Sequence, residues 1–139
     1  FIGRPEVSIS PPLLGLETQK TGRTTERTTG EVIQVDLSTY VSYGPGKTAL
    51  FTQQVGFSTK SAGGDSGSLI LDMQNRPVAL LFAGGDDMTV GSPIGEVLRL
   101  LGLSLTMPEA ARMKIAELAR DLGINLELTP PAQRRLGVI

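Results

Sequence analysis

The sequence predicts a mainly β domain, an antiparallel barrel or sandwich that helices close at its C-terminal end. Between residues 13 and 93, five to seven short runs of strand length are separated by turns rich in glycine, proline and aspartate. After residue 93, the apolar residues change to helical spacing. The 139 residues suffice for one domain with a core, and with 4 Phe, 2 Tyr and no Trp that core is predicted to be aliphatic.

The strands are predicted from their apolar runs and from the turn residues between them. Residues 21–30, rich in threonine and glycine, are interpreted as an irregular turn region, and residues 58–68 as a glycine-rich loop. The apolar run over residues 77–83 predicts a buried strand. The predicted strands cover residues 14–20, 31–37, 40–43, 49–57, 69–72, 77–83 and 88–90.

Two helices are predicted in the last third of the chain. The first begins at Pro93, with Ile94, Val97, Leu98 and Leu101 at helical spacing. The second covers residues 107–122, where a capping-box pattern precedes an apolar stripe and a glycine ends the helix. We expect the stripe to lie against the barrel, with a docking arm for another domain or subunit as the alternative. The stripe consists of Ala111, Ile115, Leu118 and Leu122.

Composition argues against several classes of function. The net charge is −1, from 13 basic and 14 acidic residues, which gives no electrostatic reason to expect nucleic acid or an anionic membrane as a partner. No apolar run approaches the length of a membrane span. The chain has no Cys and no His, so a zinc site would need carboxylates only, and no cofactor is predicted. The lack of Cys also fits a reducing compartment.

The segment Gly63-Gly-Asp-Ser-Gly-Ser68 is the strongest chemical signal in the sequence. A serine between aspartate and glycine, on a glycine-rich turn before the apolar run at Leu69, is a typical way to present a nucleophilic hydroxyl. A polar turn without a catalytic role is the simpler alternative. An α/β-hydrolase would need a helix after the serine, and the strand-like run at Leu69 argues against that fold.

Three blocks in this order resemble the C-terminal barrel of a trypsin-like, chymotrypsin-fold serine peptidase. They are residues 64–69, residues 77–84, and Ser92-Pro-Ile94 with the apolar Val97 and Leu101. The motif Lys20-Thr-Gly-Arg-Thr-Thr25 is similar to a strand and turn of the bacterial branch of that family. Where relatives tend to have glycine, this chain has Glu26, which leaves the geometry of the turn open. The resemblance covers about residues 13–103.

The resemblance implies the second of two antiparallel six-stranded Greek-key barrels, with the active site in the cleft between the two. The catalytic His and Asp would come from an N-terminal barrel, in the same precursor or in a second chain, and would act on a peptide or protein substrate. Residues 1–12, with three prolines, would be the inter-barrel linker, residues 13–103 the peptidase barrel with its closing helix, and residues 104–139 a further helix and tail. Cleavage of a precursor before Phe1 would leave a nicked pair of halves.

The resemblance also assigns roles within the site. Ser66 would be the nucleophile, the backbone N–H groups of Gly64 and Ser66 would form the oxyanion hole, and Asp65 would be buried and shape the turn. In relatives activated by cleavage, the partner of this aspartate is a freed N-terminal amine. The expected substrate-binding residues are Phe82, Ala83 and Gly84 on one strand, Gly91 in the wall of the specificity pocket, and Lys60 at its base.

Three questions stay open from the sequence. Lys60 would favour acidic substrate side chains if it lines the pocket, and it would have no such role if it points to solvent. A Ser66–Lys60 dyad is also conceivable, although the family geometry argues against it. Finally, a degenerate peptidase domain that binds peptides without cleaving them would retain the same fold.

Overall fold

The computed structural model describes residues 2–105, 114 and 117–123. Within residues 2–105 the elements are six strands and one helix of residues 94–101. Their bounds are β1 Glu17–Gly22, β2 Glu26–Gly44, β3 Lys47–Phe57, β4 Leu69–Asp72, β5 Pro77–Gly84, β6 Thr89–Pro93 and α1 Ile94–Leu101. None of the described helices is long and apolar enough to cross a membrane.

The six strands form a closed antiparallel barrel with the order β1-β2-β3-β6-β5-β4. Strands β1, β2 and β3 are joined as consecutive hairpins, and β4 returns to pair with β1. This return of a fourth strand to the side of the first is the Greek-key connection. The predicted six-stranded Greek-key barrel is therefore confirmed.

The predictions for residues 21–43 need correction. Residues 21–22 end β1 and residues 26–30 begin β2, so the expected turn region shrinks to three residues, because threonine fits a strand well. The two strands expected over residues 31–37 and 40–43 form one strand of 19 residues. Irregular pairing interrupts its register with β3 on both sides of Leu37, where Asp36 (φ 51°) and Gln53 (φ 58°) adopt left-handed backbone conformations. These bulges bend the strand without ending it.

The barrel interior is aliphatic around a single buried aromatic ring, as the composition predicts. Phe57, with no exposed surface, is the largest apolar side chain among the most deeply buried ones. Val32, Val55, Ile70, Val78, Ala79 and Leu81 surround it. The last four residues of β3 and the last three of β4 are all buried, so these strand ends lie inside the core.

The segment before β1 lies along the barrel wall instead of extending into solvent. The amide of Glu6 donates to the carbonyl of Asn75 at 2.7 Å, and the amide of Ser10 donates to the carbonyl of Pro77 at 2.8 Å. Burial alone would raise the pKa of Asp72, but hydrogen bonds from Arg76, Gln74 and Ser10 outweigh it and lower that pKa. The carboxylate of Asp72 thus holds both the β4–β5 turn and the N-terminal segment.

The first predicted helix is confirmed as α1, whereas the second, over 107–122, lies mostly outside the described residues. Residues 114 and 117–121 are helical. Leu118 and Leu122, which the stripe placed against the barrel, are 61% and 67% exposed, and Ala119 is buried instead. The buried side of this turn is therefore the one that carries Ala119, which corrects the predicted orientation.

Glu26 adopts a left-handed backbone conformation at the β1–β2 turn. Gly22 pairs with Glu26 across a three-residue loop, and Glu26 has φ 54°. This is the left-handed conformation, which costs a residue with a Cβ about 1–2 kcal/mol. Glycine has no such cost, so its presence in relatives at this position has a physical reason.

Replacing Glu26 with glycine is therefore expected to raise the free energy of unfolding by about 0.5–1 kcal/mol, since the relief of strain exceeds the added freedom of the unfolded chain. Urea unfolding followed by circular dichroism measures the change. Glu26→Ala keeps the Cβ and serves as the matched control. Equal stability of the two variants would contradict the explanation.

Candidate active site

Ser66 lies in the loop between β3 and β4, and backbone hydrogen bonds of the two residues that follow it hold its position. The amide of Gly67 donates to the carbonyl of Leu81 at 2.8 Å, and the amide of Leu81 donates to the carbonyl of Ser68 at 3.0 Å. These two bonds attach the loop to β5. The Oγ of Ser66 is exposed and lies 3.4 Å from the carbonyl oxygen of Phe82, longer than a good hydroxyl bond of about 2.8 Å. The hydroxyl is therefore accessible and only weakly bonded.

The backbone before Ser66 leaves two amide groups available. Asp65 donates its amide to the carbonyl of Ala62 at 3.0 Å, whereas the amides of Gly64 and Ser66 donate to no residue within the described part of the chain. Gly64 has φ 101°, and a Cβ there would lie 2.6 Å from Nη2 of Arg23. Only glycine adopts this turn without strain.

The carboxylate of Asp65 is completely buried and accepts four hydrogen bonds. Its Oδ1 accepts from the amides of Thr24 at 2.7 Å and Thr25 at 3.2 Å. Its Oδ2 accepts from the hydroxyl of Thr25 at 2.6 Å and the amide of Ala62 at 3.0 Å. Burial alone would raise the pKa of Asp65, but these hydrogen bonds, with the Thr25 hydroxyl foremost, outweigh it and hold that pKa well below its ordinary value.

Lys20 supplies the positive charge that faces Asp65. Its Nζ lies 3.5 Å from Oδ2 of Asp65, and neither side chain has any exposed surface. The ammonium also donates to the hydroxyl of Thr25 and to the carbonyl of Glu26. The cation that faces this aspartate is thus an internal lysine of β1.

Gly22 makes room for this ion pair. A Cβ built at Gly22 would lie 2.3 Å from Oδ1 of Asp65 and 2.5 Å from its Cγ. The carboxylate is already held by four hydrogen bonds, so it has no free space into which to move. The motif of residues 20–25 therefore surrounds the carboxylate of Asp65. It supplies the ammonium of Lys20, the space left at Gly22, and hydrogen-bond donors of its two threonines.

A cavity of about 510 Å³ opens beside Ser66. The loop before the serine forms one wall, the end of β5 and the following turn form the second, and the β2–β3 hairpin contributes the third. Phe82, Ala83 and Gly84, predicted to bind substrate, all lie in the second wall. The lining consists of residues 41–42, 61–63, 66 and 81–86.

The other two predicted substrate-binding residues do not line this cavity. Lys60 has an exposed side chain, and its carbonyl accepts a hydrogen bond from the hydroxyl of Thr28 at 3.0 Å. Gly91 pairs with Val55 and Leu81 inside the barrel, where an added Cβ would lie 3.0 Å from the Cβ of Ala79. Gly91 thus contributes to the packing beneath the cavity wall.

Sequence reasoning missed Lys20 and Asp86. Lys20 is the first residue of the motif that signalled the family, but no pattern in the sequence indicates that its ammonium is buried. Asp86 follows the predicted strand in a loop, and only the fold places it in the cavity wall.

Three solved structures show which class of protein has this fold. Cellulomonas bogoriensis chymotrypsin matches with a TM-score of 0.61 and 23% identity, over 73% of this chain and 56% of its own. Thermobifida fusca protease A matches with a TM-score of 0.63 and 20% identity, over 71% and 53%. A glutamic acid specific serine protease matches with a TM-score of 0.59 and 25% identity, over 73% and 54%. No protein-family profile and no curated protein sequence matches the chain.

The chain therefore has the fold of bacterial chymotrypsin-like serine proteases. It spans about half the length of the solved proteases that it matches, which is the share expected of one barrel out of two. The closed β-barrel also rules out the α/β-hydrolase alternative, since β4 and not a helix follows Ser66.

Removing the charge of Asp65 is expected to destabilise the fold strongly. Asp65→Asn leaves the ammonium of Lys20 buried without a counter-ion, which typically costs about 3–5 kcal/mol. Urea unfolding at neutral pH measures this loss. Asp87→Asn, which changes an exposed carboxylate, is the control and is expected to stay within about 0.5 kcal/mol of the parent protein. A loss below about 1 kcal/mol in Asp65→Asn would contradict the described ion pair.

The same aspartate is expected to make the fold sensitive to acid. Because folding lowers the pKa of Asp65, its contribution is fully present above the ordinary aspartate pKa of about 4 and is lost as pH falls below that value. Unfolding free energies measured between pH 7 and pH 2.5 show this decline. Asp65→Asn is expected to decline less steeply, and the slope that remains includes the contributions of Asp72 and Glu96, whose pKa values folding also lowers. Parallel pH profiles would contradict the assignment.

Proposed function

We propose that this chain is the nucleophile-bearing half of a serine endopeptidase. The observation that carries the proposal is the position of Ser66, whose weakly bonded hydroxyl lies on a turn held by the buried Asp65–Lys20 pair, at the edge of a cavity in a chymotrypsin-type barrel. The catalytic Asp and His belong, in this proposal, to an N-terminal barrel that this chain lacks. Residues 1–12 connect the two barrels.

In the proposed reaction, the Oγ of Ser66 attacks the carbonyl carbon of a substrate peptide bond, and its proton passes to the histidine of the other barrel. The amides of Gly64 and Ser66 then donate to the oxyanion of the tetrahedral intermediate. Neither amide donates a hydrogen bond to a described residue, which supports this role, because no existing bond must be broken before the amides bind the oxyanion. Loss of one such donor typically costs about 3 kcal/mol of transition-state stabilisation. Phe82, Ala83 and Gly84 would pair with the substrate backbone.

The chain contains no histidine, and Lys60 does not line the cavity beside Ser66, so in this proposal the base comes from outside the chain. A free serine hydroxyl is a poor nucleophile at neutral pH without such a base. The lengths of the matching proteases, about twice the matched part, support a second barrel as its source. A degenerate domain that binds peptides without cleaving them is the alternative that the experiment must exclude.

Labelling with a fluorophosphonate tests this proposal on the full-length polypeptide that carries this sequence. We expect labelling, mapped by mass spectrometry to Ser66 and not to Ser61 or Ser68, and complete loss of it in Ser66→Ala. Ser8→Ala changes an exposed serine that is far from Ser66 in the sequence. This variant is the matched control and is expected to retain labelling. A folded protein that is not labelled, under conditions where another serine peptidase reacts, would favour the peptide-binding domain.

A further inference from the structure

Asp86 is the only charged residue that lines the cavity beside Ser66 within residues 2–105. It forms no ion pair with any described residue, and its side chain is exposed at the mouth of the cavity. Lys60, the cation expected at the base of this pocket, does not line it. The charge that a bound side chain meets here is therefore negative.

The position of Asp86 is determined by the turn between β5 and β6. Gly84 pairs with Thr89, and the amide of Gly85 donates to the carbonyl of Met88 at 2.9 Å, which closes a four-residue loop. Asp86 is the second residue of that loop, two positions after Gly84, the last residue of β5. The tight turn thus holds its backbone close to the strand that forms the cavity wall.

The wall between Ser66 and Asp86 includes apolar side chains. The half-buried Phe82 and Ala83 lie on this side of the cavity, whose volume of about 510 Å³ is within the range of about 300–1,000 Å³ typical of ligand sites. A lysine or arginine side chain places its alkyl part on apolar surface and its charged end in water beside a carboxylate. An acidic side chain would meet a like charge there.

From this arrangement we infer that Asp86 is a specificity-determining residue, which directs the cavity beside Ser66 to bind lysine or arginine side chains of a substrate. The inference rests on the proposed function, because it concerns the substrate of the same site. Asp87 provides the comparison. It lies next in the chain and lines the neighbouring groove against residues 39–42, but it does not line the cavity beside Ser66.

The test measures how fast diphenyl phosphonates phosphonylate Ser66 in the full-length polypeptide. One reagent has the aminobutyl side chain of lysine, and the other has the uncharged butyl side chain of norleucine. We expect the cationic reagent to react about fivefold faster, the size expected of a solvent-exposed ion pair. The ratio is expected to fall toward one in Asp86→Asn and to stay near its original value in Asp87→Asn. It is also expected to fall as NaCl is raised, because salt screens exposed charges.

The outcomes separate the two proposals. Labelling of Ser66 by a fluorophosphonate, with no preference for the cationic phosphonate or with a preference that Asp86→Asn leaves unchanged, would overturn the inference about Asp86 and leave the proposed function intact. A preference lost equally in Asp87→Asn would also overturn it, because the cause would then be the general negative potential of the loop. No labelling by either class of reagent would overturn both proposals.

Discussion

The buried ion pair between Lys20 and Asp65 is the interaction on which the site depends. It joins β1 to the loop before β4 over 45 residues of sequence, beyond the pairing of Lys20 with Ile70 of β4. The desolvation of two charges is costly, and the pair is tolerated because the hydroxyl of Thr25 and three backbone amides complete the hydrogen bonding of the carboxylate. The loop conformation that satisfies all of these groups is also the one that exposes Ser66.

The β1–β2 turn is built around this requirement. Gly22 leaves the space that the carboxylate occupies, and Thr24 and Thr25 point their amides toward it. Thr24 also donates its hydroxyl to the carbonyl of Gly63 at 2.7 Å, which fixes the loop one residue before Gly64. A turn that contains no proposed catalytic residue therefore determines the geometry of the turn that does. The strained Glu26 belongs to the same hairpin, so its backbone strain is balanced by the contacts that the hairpin makes.

The cavity beside Ser66 depends on three elements that are distant in sequence. The loop with Ser66, the end of β5 and the β2–β3 hairpin meet because β5 lies between β4 and β6 in the barrel order. The hairpin reaches this point through a strand of 19 residues, and the tilted rings of Phe51 and Phe82, with centroids 4.8 Å apart, join it to β5. The cavity wall on this side is thus formed by the barrel closure itself.

Local patterns in the sequence were sufficient for much of the fold. The strand at residues 69–72 and the helix after Pro93 are predicted closely, because apolar runs bounded by turn residues leave few alternatives. The long β2 was divided in two at Ser38 and Thr39, because these two polar residues interrupt the apolar pattern. The turn around Ser66 and its position before a strand could also be predicted from the sequence, because glycines flank the serine and an apolar run follows it.

The sequence by itself determined the strand pattern, the aliphatic core, the turn with Ser66 and the absence of a histidine base. Only the tertiary structure decided which charges matter. Lys20 is buried and faces Asp65, Lys60 is exposed, and Asp86 lines the cavity, although all four are ordinary charged residues in the sequence. The physical reason is that the energy of a charge depends on its solvent exposure and on its partners, and the closure of the barrel determines both.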